Sequence, residues 1–188
     1  MPTDPAPAAT EEPTSDGPPH AVLIAALVVA VAAVGVVLGL AATRRPADQP
    51  VAIASVPAPQ AGSPECQRLL AALPGQLGDF RRAMALDPVP AGTAAWRAGT
   101  DGDAVILRCG LYRPAEFVLG VPIQIVNQVQ WFRLDDPDTN RSTWVSVDRP
   151  VYVALTLPTG SGPTPIQTMS DLIARTMPPT AVKPGPAR

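Results

Sequence analysis

The chain has 188 residues with 14 basic and 16 acidic side chains, one histidine and two cysteines; 46% of it is hydrophobic but only 4% aromatic. That length fits one ordinary domain with appendages. A net charge of −2, with no basic run longer than a pair, excludes the electrostatic footprint of a nucleic-acid binder.

Residues 1–20 carry Asp4, Glu11, Glu12 and Asp16, several of the 25 prolines and no Lys or Arg, so they read as a disordered, acidic, Pro-rich tail. Residues 21–42 contain no charged or strongly polar side chain. At 1.5 Å rise per residue such a stretch spans roughly 33 Å, enough for a hydrocarbon core of about 30 Å, and it predicts a single transmembrane helix. A signal sequence cleaved near Ala41 is the rival reading, against which stand the missing positive n-region and the length of the apolar run. Gly35 and Gly39 form a small-xxx-small pair that would allow a weak homodimer, although this spacing arises easily in a segment built of Ala, Val and Gly. Residues 43–62, punctuated by Pro46, Pro50, Pro57 and Pro59, predict a Pro/Ala-rich linker.

The segment 63–178 predicts the folded domain. Ser63-Pro64-Glu65 supplies an N-cap, a proline at the first helical position and an early acid, and Cys66, Leu69, Leu70 and Leu73 then form one apolar stripe that Pro74-Gly75 ends. Residues 105–111 alternate, with Val105, Leu107, Cys109 and Leu111 on one face. Further strands are expected at 80–86, 129–134, 142–147 and 151–157, the last two joined as a hairpin through Asp148-Arg149-Pro150. Thr164-Pro165-Ile166-Gln167 resembles a capping box opening a helix with Ile166, Met169 and Ile173 on one face, stopped by Pro178-Pro179. The predicted class is α+β: a small antiparallel sheet with both helices on one face, preceded by the transmembrane helix, and followed by a disordered tail at 179–188.

Cys66 and Cys109 both fall on apolar faces. A bridge between them would close a loop of about 44 residues and stabilise the domain by roughly 4 kcal/mol. Two free buried thiols are the alternative; a reactive thiol lacks a partner, because no Cys-x-x-Cys is present and the lone His20 lies outside the domain. Disulfides persist outside the cytoplasm, so the bridge favours an external domain, whereas Arg44-Arg45 on the C-terminal side of the helix favours a cytoplasmic one.

A domain without histidine has no Ser-His-Asp triad, imidazole base or histidine metal site, and no cofactor motif stands out. The acids of Asp135-Asp136-Pro137-Asp138-Thr139-Asn140 do not match a calcium loop, and they read as a solvated turn, as does Asp101-Gly102-Asp103. Trp96, Trp131 and Trp144, with Arg108, are the candidate binding face, set against ordinary packing of large aromatics. Arg108, Arg113, Arg133 and Arg141 would form an anion patch if the sheet brought them together, and scattered surface charge otherwise.

The run Cys66 to Pro74, then Ala94-Ala95-Trp96, Val105-Ile106-Leu107-Arg108-Cys109-Gly110 and Val126-Asn127-Gln128-Val129-Gln130-Trp131, resembles domain of unknown function 3515, an actinobacterial family, over about residues 63–177. Arg97 stands where the family commonly has Gly. The single Lys against thirteen Arg, with heavy Ala and Pro usage, fits a high-GC source. The resemblance implies a membrane-anchored or secreted envelope protein with an external domain, and it implies no activity, ligand or catalytic residue. Together these features predict a single-pass cell-membrane protein whose extracytoplasmic domain is a non-enzymatic module for a protein or cell-wall partner. A carboxylate-based enzyme acting on an envelope glycan and a cytoplasm-facing scaffold are the alternatives.

Overall fold

The structure, a computed structural model, describes residues 20–43, 49–100 and 102–187. The tail before His20, the Arg44-Arg45 pair and Asp101 lie outside the described residues. The chain divides into two units, Met1–Pro46 and Ala47–Arg188. In the first, helix α1 (His20–Thr43) is apolar on all sides, with every side chain from Ala21 to Gly39 exposed. Nineteen such residues are long and apolar enough to cross a membrane, and a signal sequence would pass the same test.

The second unit is built on one eight-stranded antiparallel sheet in the order β1-β2-β3-β4-β8-β7-β6-β5. Its strands are β1 (Gln76–Leu77), β2 (Phe80–Ala83), β3 (Thr93–Arg97), β4 (Ala104–Leu111), β5 (Gln124–Val126), β6 (Val129–Asp136), β7 (Arg141–Ser146) and β8 (Tyr152–Pro158). Two four-strand meanders thus join at their centre, where β4 pairs with β8 through Ile106↔Thr156, Leu107↔Leu155 and Cys109↔Val153. Helices α2 (Pro64–Ala71) and α3 (Thr164–Thr176) lie on one face. This is the α+β arrangement that the periodicity predicts, with a larger sheet. The strand expected at 80–86 leaves β3 after Ala83, and Met84 and Leu86 instead bond Val51. Two-residue β1 and three-residue β5 are too short for a hydrophobic period to register.

Helix α2 begins as expected: the Ser63 side chain accepts the Cys66 N–H at 3.3 Å, and Pro64 occupies the first turn. For α3 the expected Thr164 cap is replaced. Pro163 is the N-cap and makes no side-chain bond, so Thr164 is already helical, while Ile166, Met169 and Ile173 are buried as expected together with Leu172. Cys66 and Cys109 form a disulfide with their Cα atoms 5.7 Å apart, fastening α2 to the central strand. Leu69, Leu107, Leu155, Met169 and Ile173 are all fully buried around it.

The opposite face is the main departure from the predicted layout. Residues 49–62, expected as linker, and 179–187, expected as a disordered tail, are packed onto it. Val51 donates its N–H to Met84 O at 2.8 Å and accepts from Leu86 N at 2.9 Å, and Val51 and Ile53 close over Ala95, Ala104 and Ile106. At the other end, Gly185 exchanges hydrogen bonds with Phe117 and Leu119, Val182 packs on the Phe117–Phe132–Val147 cluster, and Thr180 N donates to Asp148 O. The physical reason is that β4 and β8 bury both their faces, so apolar side chains on the second face also need cover. Proline-rich composition signalled extended chain correctly, but extended chain with apolar side chains can dock. Fully burying Val51 or Ile53 is worth about 1.5–3 kcal/mol.

The close approach of this covering chain to the sheet depends on Gly110, which has φ +87° beside a bulge between Cys109 and Leu111. A Cβ there would lie 2.3 Å from both Ala61 N and the Gln60 carbonyl carbon. Gly110→Ala is therefore expected to lower unfolding free energy by about 2–4 kcal/mol in urea titrations, since both the backbone and the packing are strained. Gly75→Ala, where no atom lies within 4 Å of the added carbon, should stay within about 0.5 kcal/mol. Replacing both Cys66 and Cys109 with Ser should cost about 4 kcal/mol in the same assay, given their separation of 43 residues.

Candidate functional site

Two of the three tryptophans are structural. Trp96 is fully buried and donates from Nε1 to Pro74 O at 2.9 Å, with the Arg82 guanidinium 4.9 Å from its ring centre on the sheet's helix face. Trp131 is fully buried and donates from Nε1 to Ser170 Oγ at 2.9 Å, a hydroxyl that itself bonds Ile166 O. Arg108 projects from the other face, opposite Ala154. The four-residue binding face expected from the sequence therefore does not form: Trp96 and Trp131 have no exposed surface, and Arg108 and Trp144 sit on opposite sides of the sheet.

Trp144 alone is half-buried and borders a cleft, with a volume of about 520 Å³, at one end of the helix face. Its neighbours follow from the register: Trp144 pairs with Arg133 on β6 and Leu155 on β8, and Ser142 with Leu157. Leu157, Val126 and Ile166 add apolar wall, while the loop from Thr159 to Pro163 and the first turn of α3 close the far side. Gly160 and Gly162, at φ +83° and +68°, let that loop turn back sharply enough to do so.

The charges at the rim are already engaged. Arg133 bonds Asp135 at 2.7 Å and stands 5.3 Å from the centre of the Trp144 ring, a cation–π contact. Arg141 bonds Asp103 at 2.9 Å. Asp136 is folded into the β6–β7 turn, where Oδ1 accepts the N–H groups of Asp138 at 3.1 Å and Thr139 at 3.2 Å. This is the plain turn that Pro137 predicts. Hydrogen bonds from the Thr139 side chain and then from the Thr139 and Asp138 amides hold the Asp136 carboxyl below its usual range, outweighing a small opposing desolvation. As neighbours on one strand, Asp135 and Asp136 point to opposite faces and do not face each other across the cleft. Among the described residues no group of three or more His, Cys, Asp or Glu side chains could hold a metal ion.

One buried ion pair carries no local signal in the sequence. Asp148 and Arg149, in the β7–β8 turn, bond at 2.8 Å with side chains only 4% and 2% exposed. Arg149 also donates to Gln128 O at 2.9 Å, which ties this turn to the β5–β6 turn at Asn127-Gln128. Both turn residues have positive φ, 42° and 69°, and Asn127 Nδ2 donates to Asp171 Oδ1 at 3.0 Å. Adjacent opposite charges read as solvated turn residues, and only long-range packing reveals them as internal.

Fold and site define a small α+β domain behind an apolar N-terminal helix, with its sheet covered on both faces and one amphipathic cleft at its end. Residues 27–182 match the family described as protein of unknown function (DUF3515), and the chain belongs to it. No curated protein and no solved structure matches the chain.

The Asp136 turn gives a pH expectation. Because its folded pKa lies below the unfolded value, the ionised carboxylate stabilises the turn above the ordinary aspartate range, and that contribution is lost as pH falls through the depressed folded value. Carbon-detected NMR should show Asp136 titrating below a typical aspartate. Asp136→Asn should flatten this part of the acid limb of the unfolding midpoint.

Proposed function

We propose that the protein is a single-pass membrane protein of the cell envelope whose domain outside the membrane is a non-enzymatic binding module, and that the Trp144 cleft is its ligand site. The observation that carries this is the cleft itself. At about 520 Å³ it falls within the size range of small-ligand sites, and it joins an indole and aliphatic side chains to a polar rim. Since its rim carboxylates and guanidiniums already have partners, the ligand it suits best is uncharged at the point of contact, with one apolar ring face and hydrogen-bonding edges, as a wall glycan presents. The Cys66–Cys109 disulfide supports an oxidising compartment for the domain. A glycan-cleaving role would require a carboxyl with raised pKa opposite a second carboxylate. Here Asp136 is shifted the other way and bound to its own turn.

Trp144 is the reporter for a direct test, because the other two tryptophans are sealed in the core. Titration with soluble cell-wall glycan fragments should change the intrinsic fluorescence saturably, and Trp144→Phe should abolish the change while leaving the unfolding midpoint near wild type. No response, or an equal response in Trp144→Phe, would remove the cleft from consideration. Shortening of the fragments during incubation would instead establish the hydrolase. For orientation, a cysteine introduced by Arg175→Cys, at an exposed position of α3, should be labelled by an impermeant maleimide in intact cells, because the native Cys66–Cys109 bridge is buried in the core. Labelling confined to lysed cells would place the domain inside.

A further inference from the structure

The face opposite the cleft holds a second polar site, which the strand register assembles. Arg108 on β4 lies opposite Ala154, Ile106 opposite Thr156, Thr156 opposite Thr143, and Pro158 opposite Arg141, so these side chains share one face. Thr143 and Thr156 join their hydroxyls at 3.0 Å. This shelf is flanked by the covering chain at Ala54 on one side and the Phe117–Phe132 cluster on the other, and Arg108, Arg141, Thr143 and Thr156 are all half-buried.

Arg108 is the poorly satisfied cation of this shelf. The only hydrogen bond that Arg108 makes to a described residue is a long one, from Nη2 to Ala54 O at 3.4 Å, and its Nε is buried without a partner. No carboxylate among the described residues pairs with it. Arg141 stands close enough that, after burial, its charge is the second cause lowering the Arg108 pKa. Arg97, which ends β3 on the same face, bonds Gln49 O at 2.8 Å and likewise has a buried Nε without a partner. Against these three guanidiniums the described residues set one engaged carboxylate, Asp103, on Arg141.

We propose that this shelf binds a phosphate group, held between Arg108 and Arg141 over the Thr143–Thr156 pair. A tetrahedral oxyanion can accept paired N–H bonds from the Arg108 fork and a further N–H from Arg141, whose Nη1 and Nη2 also hold Ala104 O at 3.4 Å and Asp103 at 2.9 Å. The threonine pair needs only one of its two hydroxyl protons for its own bond and leaves the other to donate. Binding would supply partners to donors now partly buried without them and would offset the repulsion between like charges. Arg141 also borders the Trp144 cleft, so the two sites adjoin at that residue, whereas Arg108 and the threonine pair lie outside the cleft and report on this site alone.

The test uses the full chain in neutral phosphatidylcholine nanodiscs and follows the arginine Nε–Hε signals by NMR while inorganic phosphate is added. The Arg108 and Arg141 signals should move saturably, and Arg108→Gln and Arg108→Lys should each weaken binding at least ~10-fold, the lysine because it lacks the fork. Arg175→Gln, on an exposed position of α3, should bind as wild type. A second arm replaces part of the lipid with anionic phosphatidylglycerol and omits free phosphate. Movement of the Arg108 signal in that arm identifies a lipid headgroup as the source, and movement only on phosphate addition identifies a soluble phosphate. The proposal is overturned if neither arm moves the Arg108 signal up to tens of millimolar phosphate, if chloride reproduces the shift, or if Arg108→Gln, with a wild-type circular dichroism spectrum, binds phosphate equally well.

Discussion

A sheet whose central strands are apolar on both sides must be covered on both sides, and that requirement governs the whole domain. Two short helices suffice for one face. The other is closed by chain without regular structure: residues around Val51 and Ile53 over one half, and Phe117 with Val182 over the other. Because neither covering segment forms a strand of its own, the backbone finds partners through isolated bridges, Val51 to Ala85 and Val118 to Gly185. The unit therefore needs nearly everything from residue 49 to 187.

The disulfide and Gly110 act at the same point in this arrangement. Cys109 fastens the central strand to α2 on one face, and the next residue gives up its side chain so that Gln60 and Ala61 can press against the other. Gln60 N donates to Gly110 O at 3.1 Å across that contact. A single dipeptide thus joins the helix layer, the sheet and the covering chain. Much of the family resemblance has the same character: Trp96 on Pro74 O, Trp131 on Ser170 and the Asn127-Gln128 turn under Arg149 are fold-determining contacts.

Burial of those tryptophans also explains where the helix face stays open. The middle of the helix face is filled, so the cleft opens only at its end, where β6, β7 and β8 run past the helices and a glycine-containing loop returns to α3. The ends of strands carry the polar side chains that the core excludes. On the opposite face, the gap between the two covering segments leaves Arg108 and the threonine pair half exposed.

Local signals were sufficient for the helices at Pro64 and Thr164, the long strands, the hairpin at Asp148-Arg149-Pro150, the apolar N-terminal helix and the apolar setting of both cysteines, because each depends on a short-range period, cap or turn. The sequence by itself determined these, and with them the α+β class. Tertiary structure alone decided that the proline-rich flanks are walls of the core, that Asp148 and Arg149 lie inside, and that Arg108 joins Arg141 while Arg133 joins Trp144. A strand alternates its faces every residue, so one chain shows which residues are neighbours on a face only within a strand. Which strands lie side by side, and what covers them, is settled by contacts between residues far apart in the chain.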